Sequence, residues 1–531
     1  MKLVSRIAGV LVVTSLFVQA LYAQKAVRLS WEEFSRDPKR VQSFRNAVAE
    51  MKKRSLADPS TAEFRTSWVY WASMHGYFGD TAKSGTVATW RKNNNLTDSR
   101  YDPYFVDVPN TTPPDAIAKA IWDQCQHGTN YFFAWHRLFL FYFEQVLEDA
   151  AGDPTLRLPY WDYTDPTHVA MPAEFTSPTY TNLAGQTGVA NPLFESRRAA
   201  GWQPPGTLTL DEQDTNIDLA LDNPNLLTTT DSNGDDVLGY QRTIELSPHG
   251  YAHCAVIGCR ATVMGAVPYS SNDPIFWIHH ANIDRLWDCW MSISGHKNPS
   301  SIMAQPFSYV NAKGLKVTKM VRNLFDGSLI DYVYEQPSNC ARTRAAPVLA
   351  ATPAPKMGAT AVKSAKAALQ KPVKIGVSTE AMSIDAPKTR KSVSLPATAS
   401  LNHPRQFALR AQKELPVATE LILRGVHFRM HPGRSFKVYL ERQGTPVKRA
   451  YVGTMSFFSD EPAGSEHNHA QSGTRVFDAT AALRALGLEG TGTLNVDVVF
   501  EAVDEASGVE FDPVATKLVV DKIEFDVKRD L

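Results

Sequence analysis

The stretch CQHGTNYFFAWHRLFLFYFE, Cys125–Glu144, constrains the fold more than any other. It carries two histidines, His127 and His136. From Trp135 through Leu138, Phe139, Phe141, Tyr142 and Phe143 it is apolar almost all round. A helix of that kind sits at the centre of a protein. An imidazole placed there must be hydrogen-bonded or hold a metal, because an unpaired polar group in such surroundings is costly. One such histidine says little, so the argument turns on the others.

SPHGYAHC sets His249 and His253 four apart, which puts both rings on one face of a helix, a turn apart. In SNDPIFWIHHANIDRLW, Asn272 or Asp273 is placed to cap a helix opened by Pro274, and His280 and Asp284 then share a face. Upstream, DPSTAEFRTSWVYWASMHG reads as one helix, capped by Asp58, opened by Pro59, closed near Gly76, with His75 at its end. Two triplets result: His75, His127 and His136, then His249, His253 and His280. Three neutral imidazoles suit copper, zinc, iron or nickel, and all-histidine ligation leaves positions open for a small molecule. Spacing does not choose among these metals.

The segment His127–Glu144 resembles the first copper signature of the tyrosinase, catechol oxidase and haemocyanin family, matching at His127, Phe132, Trp135, His136, Arg137, Leu140 and Glu144. Asp273–Asp284 resembles the second, matching at Asp273, Pro274, Phe276, His280 and Asp284. VYWASMHGYFG and LPYWDY are similar to further segments of that family. The resemblance spans roughly residues 60 to 290. It implies a mainly α domain with a four-helix core around two copper ions, one held by each triplet. His280 is the implied ligand, with His279 and Asp284 in supporting positions around the site. Cys125-Gln126-His127 resembles the Cys-x-His arrangement of fungal members, which implies a thioether between Cys125 and His127; a plain buried thiol is the alternative. Glu245, four before His249, is implied to hold a water near the second copper and take the phenol proton, or else to orient an imidazole. Two positions bear on the substrate entrance. Val267 stands where plant catechol oxidases carry a phenylalanine, so the entrance reads as open. Gly250 stands where many monophenol-hydroxylating relatives carry asparagine, so the deprotonating apparatus reads as incomplete. The implied activity is oxidation of o-diphenols, with hydroxylation of monophenols as an extension, using O2 and a small phenolic substrate. A haemocyanin-like oxygen carrier is the alternative.

The chain begins with Lys2 and Arg6, an apolar run Ile7–Val18, and Ala23. This is the pattern of a secretory signal spanning residues 1–23, which places the mature chain outside the cytoplasm, secreted or periplasmic, with no membrane span. The 55 basic residues balance 55 acidic ones, so nothing points to nucleic acid as a partner. Five cysteines in 531 residues are too few for a disulfide scaffold. Cys254, Cys259, Cys289 and Cys340 are placed for bridges in an oxidising compartment, or as buried thiols.

Residues 24–340 read as the dicopper domain. Within them, 165–245 is rich in turn formers and reads as long irregular connections, with LTTTDSNGDDVLG a solvated loop. Residues 341–400 are dominated by Ala, Pro, Lys and Thr and read as a flexible tether, exposed to proteases. Residues 401–531 show five stretches of alternating polarity between turn signals and one short helix at Ala479–Leu486, which suggests a β-sandwich or jelly roll. This part resembles the C-terminal domain of plant polyphenol oxidases. Such a domain is implied to shield the copper site and keep the enzyme latent, with Phe457 and Phe458 as candidates for the side chain that fills the substrate position. His467 and His469 read as exposed loop residues.

Overall fold

In the computed structural model, residues 25–529 are described apart from 79–86, 94–96, 98, 100–101, 103–111, 203–207, 260–262, 336–372, 396–416, 443, 445, 461–472, 488–493 and 504–510. The expected signal segment, Cys340, His467 and His469 lie outside the described residues.

The frame of the N-terminal body is a set of capped helices. In α1 (Pro38–Arg54), Asp37 accepts from the Lys39 amide and Pro38 occupies the first turn. The single helix expected from Asp58 to Gly76 is instead two. Thr61 caps Ala62–Arg65, and Ser67 caps α2 (Trp68–His75), each side chain accepting a backbone N–H three residues on. Two hydroxyl caps six residues apart interrupt one helix as readily as they start another. Helix α3 (Phe132–Ala151) is buried along most of its length and ends at Gly152, whose φ of +62° suits glycine. Helix α4 (Tyr251–Ile257) follows a break at Ser247, which leaves helical geometry before Pro248. Helix α5 (Pro274–Ser292) is capped by Asp273, which accepts from the Ile275 amide. Buried Arg198 pairs with the same carboxylate and fixes it.

Aromatic contacts lock these helices together. Phe143 of α3 stacks on Trp277 of α5 at 3.4 Å between centroids, and Trp71 of α2 stacks on Phe139 of α3 at 5.5 Å. The strand Ala26–Arg28 pairs in parallel with Tyr332–Tyr334, tying the two ends of the body together. Among the described residues no helix is long and apolar enough to cross a membrane.

The C-terminal body is a sandwich of two antiparallel four-stranded sheets. Its strands are β1 (Val373–Ser378), β2 (Lys388–Leu395), β3 (Val417–Arg424), β4 (Phe436–Arg442), β5 (Lys448–Met455), β6 (Arg475–Asp478), β7 (Leu494–Ala502) and β8 (Lys522–Arg529). One sheet runs β2-β7-β4-β5 and the other β6-β3-β8-β1. The five expected strands and the short helix, here Thr480–Ala485, are all present. The expected tether at 341–400 is too long, however: β1 and β2 lie inside it and pair with β8 and β7. In β2 the outward positions are Lys388, Arg390, Ser392 and Ser394, and burial falls on Val393 and Leu395. The strand therefore blends into the polar, low-complexity stretch before it. Each body has its own core. One runs from Trp31 to Tyr334, the other from Ile375 to Val527, and they share no residue.

Candidate dicopper site

The helices bring both histidine triplets to one place. His75 closes α2, His127 lies in the loop before α3, and His136 is one turn into α3. His249 and His253 flank the start of α4, and His280 is in α5. Ring centroids link the two sets: His136 and His280 stack at 4.5 Å, His127 and His249 are 5.4 Å apart, and His249 and His280 are 5.0 Å apart. All six are buried.

Backbone carbonyls fix the ring orientations. The Nδ1–H of His75 donates to Val267 O (3.0 Å), that of His136 to Phe132 O (2.7 Å), that of His249 to Glu245 O (3.0 Å) and that of His253 to Met264 O (2.7 Å). Each bond sets a tautomer that leaves the Nε2 lone pair facing inward. The Nε2 atoms of His75 and His249 find no hydrogen-bond partner, and His253 Nε2 faces His280 Nε2 at 3.3 Å. Buried acceptors turned toward each other in this way fit a cation between them. Burial first, and the neighbouring imidazoles second, push the pKa of His75, His127, His249, His253 and His280 well below the ordinary histidine range. Burial takes His136 to about 3. The rings are neutral at pH 7, the state in which they bind metal. Two groups of ligand atoms, each within 4.8 Å of one another, are His75, Cys125, His127 and His136, and His249, His253, His279 and His280. The residues present fit two soft-to-borderline metal ions such as copper.

Two side chains beyond the triplets join these groups. Cys125 Sγ lies 3.3 Å from His127 Nδ1 and 3.8 Å from its Nε2, so it faces the ring carbon between them; it is also 3.3 Å from His136 Nε2. His279, expected beside the site, hydrogen-bonds through Nδ1 with the Tyr163 hydroxyl at 2.9 Å and stacks on His249. Its Nε2 has no hydrogen-bond partner.

Asp284, expected in a supporting position, is held by residues other than its neighbour Arg285. Arg285 turns to Asp162, Thr164 and Asn282. Asp284 instead accepts from Arg137 and from the hydroxyls of Tyr332 (2.8 Å) and Tyr334 (2.6 Å), with Arg28 at 3.5 Å. Arg28 in turn holds Glu144 at 2.9 Å. This buried cluster anchors α3 and α5, and so His136 and His280, to the chain's first and last strands in this body. Breaking a buried ion pair by removing one partner destabilises by about 3–5 kcal/mol. At roughly 2–4 °C per kcal/mol for a body of this size, Asp284→Ala should lower the melting temperature by about 6–20 °C. Calorimetric unfolding checks this; an unchanged transition would remove the anchoring role.

Glu245 lies at the edge of the site. Its carboxylate accepts the Gly128 amide, beside His127, and pairs with Arg242 at 3.2 Å. Burial raises its pKa, and Arg242 opposes the rise. Cys254 and Cys259 form a disulfide, and Cys289 is disulfide-bonded as well, so bridges replace the buried thiols at these positions.

The entrance is covered from the C-terminal body. Phe458, just after β5, lies flat on His253, with ring centroids 3.8 Å apart and planes 8° apart, and meets His127 and His249 edge-on at 5.6 Å. Phe458 packs on Cys254, Cys259 and Val267. Gly250 lies directly beneath: a Cβ there would stand 3.3 Å from Ser456 Oγ and 3.6 Å from Phe458 Cβ. Phe457, the other candidate, points into the sandwich core, with its carbonyl accepting from His431 Nε2 at 2.7 Å. The chain turns at Phe458 and Ser459, with the Asp460 amide donating to Phe457 O at 3.3 Å, and one ring fills the core while the other covers the site. Sequence gave no means of choosing between them.

Residues 65–293 match the common central domain of tyrosinase. A tyrosinase of Hahella sp. (strain CCB-MM4) is 30% identical over 365 residues, covering 63% of this chain and 65% of that protein. A chloroplastic polyphenol oxidase of Malus domestica is 24% identical over 409 residues, covering 70% of this chain and 64% of the relative. The matches thus span just under two thirds of the length of these relatives. The fold is shared with a solved latent aurone synthase (polyphenol oxidase), at a TM-score of 0.55 and 16% identity, over 96% of this chain and 90% of that one. The α-helical histidine core followed by a β-sandwich is therefore a known pairing, and the helical body carries, over residues 65–293, the common central domain of tyrosinase.

Proposed function

We propose that the chain oxidises o-diphenols to o-quinones with O2, and that its C-terminal body holds it latent. One observation carries this: six buried, neutral imidazoles, four of them locked by backbone carbonyls, converge on one site, and an aromatic ring, Phe458, lies across it where a phenol would have to sit.

One copper is assigned to His75, His127 and His136, the other to His249, His253 and His280. When bound, the copper pair supplies two electrons to O2 at once, so that two catechols yield two quinones and two waters. The protein's part is to hold the imidazoles neutral and aimed, to wall the site with Phe132 and Phe276, and to move the phenol proton. Glu245 is the assigned base. Its buried carboxylate accepts the amide next to His127 and its backbone carbonyl holds the His249 ring, so it is placed to take the proton directly or through one water. Gly250 supplies no group to position that water, which favours diphenol oxidation over monophenol hydroxylation. An oxygen carrier would use the same ligands but form no quinone.

The expected result is about two coppers per chain, as in other two-metal sites, with O2 consumed and quinone formed from catechol once the C-terminal body is removed. Reversible O2 binding without quinone would support the carrier; zinc or no metal would end both readings.

Cys125 and His127 are assigned a thioether, which the approach of sulfur to the ring edge supports. Export is assigned to residues 1–23. Mass spectrometry of the copper-loaded protein recovered outside the cytoplasm tests both. The chain should lack that segment, and the peptide joining Cys125 and His127 should be lighter by two hydrogens. A free thiol on Cys125 in active enzyme would rule out the cross-link.

A further inference from the structure

The segment Phe458–Asp460 presents more than a ring to the site. Two residues beyond Phe458, the Asp460 carboxylate reaches Arg242 of the N-terminal body at 3.1 Å. Arg242 is 7% exposed and pairs at 3.2 Å with Glu245, whose carboxylate accepts the Gly128 amide beside His127, so it stands at the rim of the copper site. The covering segment therefore places an aromatic ring flat on His253 and, on a short tether, a carboxylate on an arginine. That is the outline of a phenol bearing a carboxylate tail. We propose that Arg242 is a substrate-recognition residue, and that the favoured substrates are catechols carrying a carboxylate a few bonds from the ring. The Phe458–Asp460 segment mimics them.

This rests on the phenol oxidase assignment and names its substrate class. Arg475 also holds Asp460, but it belongs to β6 and departs with the C-terminal body. Once that body is gone, Arg242 is the cation of this cluster left at the rim, and Glu245 remains its neighbour. A carboxylate arriving there takes the place Asp460 held, with the charge-assisted geometry a guanidinium offers.

The test uses the copper-loaded chain cut between the bodies and freed of the C-terminal one, since the N-terminal core is complete without it. Substrates are 3,4-dihydroxyphenylpropionate and its neutral amide, with 4-methylcatechol as the reference for turnover. A charge-assisted hydrogen bond contributes about 1.5–3 kcal/mol, so the acid should show a KM at least about tenfold below that of the amide. Arg242→Gln should erase the ratio between acid and amide, and Arg242→Lys should keep part of it. Binding is read separately by calorimetry with phenylpropionate and phenylpropanamide, which undergo no oxidation: the acid should bind more tightly to the native protein and equally to Arg242→Gln. Equal KM values and equal binding for acid and amide in the native protein would overturn the proposal, as would a preference that survives in Arg242→Gln. If Arg242→Gln turns over no catechol, the calorimetric ratio decides. Quinone from 4-methylcatechol with no acid preference sinks the substrate assignment alone. The absence of quinone from any catechol sinks the oxidase reading, and calorimetry still reports on Arg242.

Discussion

Changing His280 to Gln should leave one copper per chain instead of two and lower catechol oxidation by more than about a thousandfold, because a two-metal clamp fails when either ion is lost. The same change at His279 should leave both coppers in place and cost about 10–100-fold, the range for a residue that orients a ligand. The two histidines are adjacent, both are buried, and both belong to the same four-histidine group, so the distinction is a sharp one. Geometry separates them. His280 points Nε2 at His253 Nε2, 3.3 Å away, and stacks on His136 of the other triplet. His279 is tethered through Nδ1 to Tyr163 and lies parallel to His249, where it packs against a ligand ring. Copper analysis of both variants, alongside turnover, checks the assignment. Loss of copper in His279→Gln with retention in His280→Gln would exchange their roles.

The six imidazoles were legible because local spacing encodes them. A one-turn HxxxH, a capped helix through His280 and an all-apolar helix through His136 are short-range patterns. What stayed hidden depends on contacts between distant parts of the chain. Nothing near Asp284 in sequence announces Arg28 or Tyr334. Part of residues 165–245, read as irregular connections, is a docking face for the sandwich. Asp214 accepts from Tyr451 and the Thr454 amide, and its burial there lifts its pKa to about 6. The DSNGDD turn, read as solvated, meets Arg424 and Lys522 through Asp235 and Asp236. In sequence these groups look like ordinary solvent-facing side chains, because the sandwich residues they meet lie more than 180 positions away. Strands β1 and β2 are hidden for a different reason: exposed Lys374, Lys388, Ser392 and Ser394 match the composition of the tether, and only Ile375 and Gly376 in one and Val393 and Leu395 in the other are buried.

Separating the sandwich from the helical body should raise catechol oxidation by about a hundredfold, and Phe458→Ala in the intact chain should raise it by less. The apparent rate of a blocked enzyme scales with the fraction of time its site is open, and a closing bias of about 3 kcal/mol leaves about 1% open. The contacts across the seam are sufficient for such a bias. Besides the Phe458 stack, the Ser456 hydroxyl donates to Leu246 O, the Thr454 amide donates to Asp214, and Arg242 and Asp460 form a buried pair. Shortening Phe458 opens the seat over His253 but leaves these polar contacts holding the sandwich across the entrance, so a substrate ring still has to pass it. Cutting within residues 341–372 should by itself change little, because the same contacts hold the pieces together without the covalent link. Activity should appear when the fragments are separated, and adding the purified sandwich back should suppress it with a saturable dependence on concentration. Quinone formation measured before cutting, after cutting, and after separation distinguishes these steps. Equal rates at all three stages would mean that Phe458 moves aside freely and that the sandwich does not restrain the enzyme.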